Sequence, residues 1–218
     1  MKNQLFFILF ILSSITLQAQ VEDIKAYYYK TTKDYINNNL SDNQVTPKKL
    51  RFQTDKLIRI SVFLDVDKGK RSKDAKNPWA ILVDSTTYFH FSYFNSLELG
   101  IGGLYVKADM EGKYCAVFAD KELLRTMTSD TNHLFGGGVQ GFLIGESRKW
   151  GKNWENEKGE KIKTFIVDTS NLLEGDNTDW FILTKSNINE ILGLDLLNDE
   201  IKQLSVEDIK QLIENANS

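Results

Sequence analysis

From Ile58 to Val66 the chain alternates for nine residues. Ile58, Ile60, Val62, Leu64 and Val66 fall on one face, and Arg59, Ser61, Phe63 and Asp65 on the other. A period of two is the side-chain repeat of an extended strand, so this stretch predicts one half-buried strand. Similar patterns follow it. Trp79 to Val83 and Thr87 to Phe94 read as strands joined by a turn at Asp84-Ser85-Thr86. Leu104 to Ala108 and Lys113 to Ala119 flank Asp109-Met110-Glu111-Gly112, the pattern of a hairpin closed by glycine. Between them, Asp67 to Asn77 is charged and reads as a solvated loop. These segments sum to a mostly antiparallel, twisted sheet of about five or six strands.

Helix signals sit at the two ends of this sheet. Thr31 is followed three residues later by Asp34, a capping box with Asp in place of Glu, which predicts a short helix over about Thr32 to Asn38. Ser186 is placed to cap Asn187 to Leu192, with Gly193 as the stop. Ser205 and Asp208 make a second box, and Ile209, Leu212 and Ile213 form one apolar stripe behind it. The expected fold class is therefore α+β, with a short N-terminal helix and a C-terminal helical appendage docked on the sheet. Two further short strands are expected, over Thr164 to Asp168 and Trp180 to Leu183.

The first twenty residues set the expected location. Lys2 is followed by an apolar run from Leu5 to Leu17, and Ala19 is a small residue before a cut. That order reads as a secretory signal peptide over residues 1–19, too short in its apolar part to span a bilayer. Removing it takes away Lys2 and leaves a net charge of about −4 from the −3 of the full chain. Such a balance gives no footprint for a nucleic-acid partner. With 41% hydrophobic and 26% charged residues, the composition is globular and excludes disorder as the ground state. Cys115 is the single cysteine, so no intramolecular disulfide forms and packing alone must hold the body. The body divides into a β-rich region, 20–128, and a second region, 129–218. The latter carries a glycine-rich segment, short strands and C-terminal helices, packed on the same domain.

Four groupings bear on chemistry. Gly137, Gly141 and Gly145 recur every four residues within an apolar stretch from Leu134, a spacing that lets backbones approach closely and suits membrane association or self-association. The plain alternative is a tightly packed turn, because each glycine weakens a helix by about 1 kcal/mol. Cys115 and His90 are a conceivable nucleophile and base, but both fall inside expected strands, where a lone cysteine is ordinarily a small apolar residue. His133 precedes the glycines as a loop residue. Acidic groups surround Gly69 (Asp65, Asp67) and Gly175 (Glu174, Asp176, Asp179), but neither follows the calcium-loop spacing, and solvated turns account for both. Tyr88, His90 and Phe94 share one strand face and are candidates to stack on a saccharide or peptide; the plain alternative is that the face is covered. No cofactor and no metal are expected.

The pattern Tyr28-x-Lys30-Thr31-x-x-Asp34-Tyr35-x-x-Asn38, with Pro78-Trp79-Ala80-Ile81 and Gly112-Lys113-Tyr114, resembles the layout of uncharacterised exported proteins of Gram-negative bacteria. The resemblance implies a location and a shape, and no catalytic residues. The expected function is an exported, non-catalytic binding or structural protein of the periplasm or envelope. The alternatives are an envelope hydrolase and a membrane-associated protein using the glycine-rich segment.

Overall fold

The computed structural model describes residues 24–90, 103–127, 154–172 and 176–218. The leader, the glycine-rich segment with Gly137, Gly141 and Gly145, and Phe94, His133, Glu174 and Gly175 lie outside the described residues.

The fold is α+β. Eight antiparallel strands form a large curled sheet: β1 (Ala26–Tyr29), β2 (Val45–Lys48), β3 (Arg51–Phe52), β4 (Leu57–Arg59), β5 (Val62–Asp65), β6 (Ala80–Val83), β7 (Thr86–His90) and β8 (Leu104–Lys107). Their spatial order is β3-β4-β8-β7-β6-β1-β2-β5. The two ends of that order belong to one bent hairpin. Val45 pairs with Asp65, Lys48 with Val62, Arg51 with Arg59 and Phe52 with Ile58, in a single unbroken register. One half of the hairpin pairs with β1 and the other with β8, so the sheet curls into a half-barrel around its own apolar face.

The hairpin corrects the reading of Ile58 to Val66 as one strand. The chain bends at Ile60 and Ser61, and the face switches there: Ile58 and Ile60 are buried, then Phe63, whereas Val66 is 38% exposed. The bend is held from a neighbouring segment. Ile60 N–H donates to the Gly103 carbonyl at 2.7 Å. Gly103 has φ +86°, and a Cβ there would meet the Ile60 carbonyl oxygen at 2.1 Å, so only glycine allows the approach. Between β6 and β7, Asp84 (φ 46°) and Ser85 (φ 65°) form the two-residue turn whose twist suits a hairpin, with Val83 opposite Thr86.

A second, four-stranded sheet is centred on β11 (Lys161–Asp168), which pairs with β9 (Tyr114–Ala119), β10 (Trp154–Glu155) and β12 (Phe181–Leu183). The expected hairpin between residues 104–108 and 113–119 does not form. β8 pairs with β4 and β7, and β9 pairs with β11. The link Asp109–Gly112 carries the chain from one sheet to the other, because its hydrogen bonds are taken locally. Ala116 N–H donates to the Met110 carbonyl at 2.9 Å, and Phe118 N–H to Asp109 Oδ2 at 2.8 Å.

The helices among the described residues are α1 (Thr32–Ile36), α2 (residues 121–127), α3 (Ile188–Leu192), α4 (Asn198–Gln203) and α5 (Val206–Asn217). Both expected capping boxes are present, Thr31 with Asp34 and Ser205 with Asp208. Ser205 holds the Asp208 carboxyl below its ordinary range through its hydroxyl and then its backbone N–H. At α3 the cap is Asn187 rather than Ser186; its carboxamide is taken up by the Thr184 N–H and the Ile182 carbonyl. Gly193 ends α3 in the left-handed conformation, as its position suggested.

Among the described residues, three apolar cores result. One fills the concave side of the curled sheet, where Phe63 from one end meets Tyr105 from the other at 6.1 Å between rings. Ala75 caps this core from within the charged loop 67–77, which therefore folds back instead of staying fully solvated. A second core lies between the sheets and contains Trp79, Phe89, Cys115, Phe165 and Trp180. A third lies between the small sheet and the C-terminal helices, where Ile209 and Ile213 are fully buried.

Candidate functional site

The strand alternation separates the sequence-nominated residues. Tyr88 (6% exposed) and His90 (1%) point into the concave core. There His90 lies against the Tyr105 ring, at 4.7 Å between centroids, and its Nε2 accepts the Gly103 N–H at 3.3 Å. Burial lowers its pKa to about 4, so the imidazole is neutral. Cys115 is fully buried in the other core, between the sheets. Burial pushes its thiol up to about 11, which keeps it protonated. The two residues therefore occupy different cores, His90 the concave one of the curled sheet and Cys115 the one between the sheets. Of the acidic groups, Asp65 caps its own turn by accepting from the Asp67 and Lys68 N–H groups, and Asp176 pairs with Lys33 at 3.2 Å.

What the fold does bring together is Tyr35, Glu111 and Cys115. Tyr35 lies on α1, a helix fixed by its capping box and by the Thr32 hydroxyl, which accepts the Thr178 N–H at 2.9 Å. Its ring packs edge-on against Tyr29 and Phe89 and tilted against Trp79. Its hydroxyl reaches Glu111 Oε2 at 3.1 Å and Cys115 Sγ at 3.6 Å, while Sγ donates to the Gly112 carbonyl at 3.5 Å. Burial raises the phenol, and the neighbouring Cys115 and Glu111 raise it further. The phenol is thus a fixed hydrogen-bond donor and not a base.

Beside this group opens a cleft of about 410 Å³, lined by Tyr35, Ile36, Gly112, Lys113, Thr169 and Ser170. That volume is in the range of small-molecule sites. Its floor is set by Thr169, whose hydroxyl donates to the Lys113 carbonyl at 2.9 Å. Gly112 (φ +153°) is confined because a Cβ there would meet the Asn217 carboxamide at 2.9 Å. That carboxamide grips Tyr114, accepting its N–H at 2.7 Å and donating to its carbonyl at 3.0 Å. The lining offers an aromatic edge, hydroxyls, one ammonium and the exposed Ile36: groups that hold a ligand without reacting with it.

Sequence reasoning missed two features. Tyr35 was placed on its helix, but its link to residues 76 and 80 positions away has no local signal. Lys163 ends the charged stretch that runs from Lys149, and nothing in that stretch marks it for burial. It is 4% exposed on β11, and burial lowers its ammonium to about 8. No family model, no curated protein and no solved structure matches the chain.

Proposed function

We propose that this chain is an exported, non-catalytic binding or structural protein of the periplasm or cell envelope. The observation that carries the reading is the placement of His90 and Cys115. They lie in separate cores, each held by burial in its uncharged form. A nucleophile and its base need hydrogen-bond reach and a group ready to ionise. The polar side chains that do converge, around Tyr35 and the adjoining cleft, are donors and hydroxyls suited to holding a small polar or peptide ligand. Export rests on the order of charge, apolar run and small residue at the N-terminus.

Two assays test the reading. Expressed with its leader in a Gram-negative host, the protein is expected in the periplasm or medium, beginning near Gln20. Uncut polypeptide in the cytosol contradicts export, and a mature chain in the membrane fraction favours membrane association. The purified protein is expected to give no turnover on chromogenic esters, peptides and glycosides. Turnover that disappears in Cys115→Ala or His90→Gln overturns the non-catalytic reading.

A further inference from the structure

We propose that the outer edge of β3 is a docking site for an acidic, extended peptide, which joins the curled sheet as an added strand. This names a partner class for the binding role above. The localisation and turnover assays test that role, and the titration below tests the edge alone.

Among the described residues, backbone groups along the edges of β9, β12 and β5 are taken up by local bonds. Along β9, alternate N–H groups are taken by Asn217 (from Tyr114), the Met110 carbonyl (from Ala116) and Asp109 (from Phe118). Along β12, Asn187 takes the Ile182 carbonyl. Along β5, the returning loop bonds back: Ser72 N–H donates to the Phe63 carbonyl at 2.9 Å, and Asp65 N–H to the Lys70 carbonyl at 2.8 Å. β3 pairs with β4 alone. It is the other half of the same bent hairpin, and no described residue covers its outer side. An uncovered strand edge presents backbone donors and acceptors to any chain that can lie alongside.

The side chains choose the partner. Phe52 on β3 is 60% exposed, an apolar anchor that a purely protective edge would not carry. Lys48, Lys49 and Arg51 are exposed beside it and make no ion pair with a described residue, on a chain whose net charge is −3. A second copy would set these cations against themselves, because like charges on paired strands repel. A strand bearing carboxylates is attracted instead.

The probe is acetyl-Glu-Val-Glu-Val-Glu-amide, titrated into the full mature chain and followed by amide chemical shifts. The expected result is saturation below about 1 mM, with shifts centred on residues 50–53. Phe52→Ser and Arg51→Glu are each expected to weaken binding about fivefold or more, and N-methylation of alternate peptide amides about tenfold or more. Both side chains are exposed, so melting curves should confirm that these variants keep the fold. Four results overturn the proposal: no shifts at residues 50–53, equal binding of the Lys-Val counterpart, indifference to N-methylation, or indifference to both substitutions. Arg51-dependent sedimentation with phosphatidylglycerol vesicles, without peptide binding, also overturns it and points to a lipid surface.

Discussion

Protonating His90 removes the acceptor that the Gly103 N–H uses and places a charge in the concave core. The consequence for stability has a definite sign. The folded pKa, about 4, lies below the ordinary 6.5. Above pH 6.5 neither state holds the proton. Between 6.5 and 4 the unfolded chain binds it first, so stability falls as pH falls, by about 3 kcal/mol once pH 4 is passed. Urea midpoints measured across this window should show the loss, and His90→Gln should flatten the slope, since Gln still offers an acceptor to Gly103. Identical slopes for the two proteins would contradict the assignment. The sequence placed His90 and Tyr88 on one strand face and Phe89 on the other, because alternation is local. It did not indicate that both faces are covered. Covering depends on residues brought in from distant positions, Tyr105 and Phe63 over Tyr88 and His90, and Trp180 over Phe89. For the same reason Lys163, in a charged run, gave no sign of its burial.

The elements that were legible carry their own signals. The two capping boxes and the Asp84-Ser85 turn are settled within four residues. The bent hairpin was not legible, because an alternating pattern persists through Ile60 and Ser61 while the backbone turns away. The agent of the bend is Gly103, more than forty residues distant. Gly103→Ala is therefore expected to destabilise by about 3 kcal/mol or more, since its Cβ meets backbone that cannot move aside. Gly69→Ala is the matched comparison. It has a similar left-handed φ of +59° but nothing within 4 Å, so it should cost only about 1–2 kcal/mol. Equal shifts in melting temperature for the two variants would show that the contact with Ile60 is not what holds the bend. The expected hairpin at Asp109–Gly112 failed for a related reason. Turn chemistry fixes a change of direction, but not whether the flanking strands pair with each other or with other strands.

At the scale of the molecule, the described residues of this one-cysteine chain pack into three apolar cores, and the cysteine is part of the middle one. The alternating strands, the end helices and the α+β class could be read from residue order. The nesting of a curled sheet, a small sheet and a helical layer could not, since it depends on long-range pairing such as that of β9 with β11. In this arrangement Cys115 is a packing group, its thiol kept protonated by burial and touching Tyr35 and Gly112. Alkylation of the native protein by iodoacetamide, followed against pH and denaturant, tests that directly. The expected result is labelling at least about a thousandfold slower than in the unfolded chain, rising only as the fold opens. Rapid native labelling with a midpoint near or below pH 7 would mean an accessible, ionised thiol and would contradict the non-catalytic account.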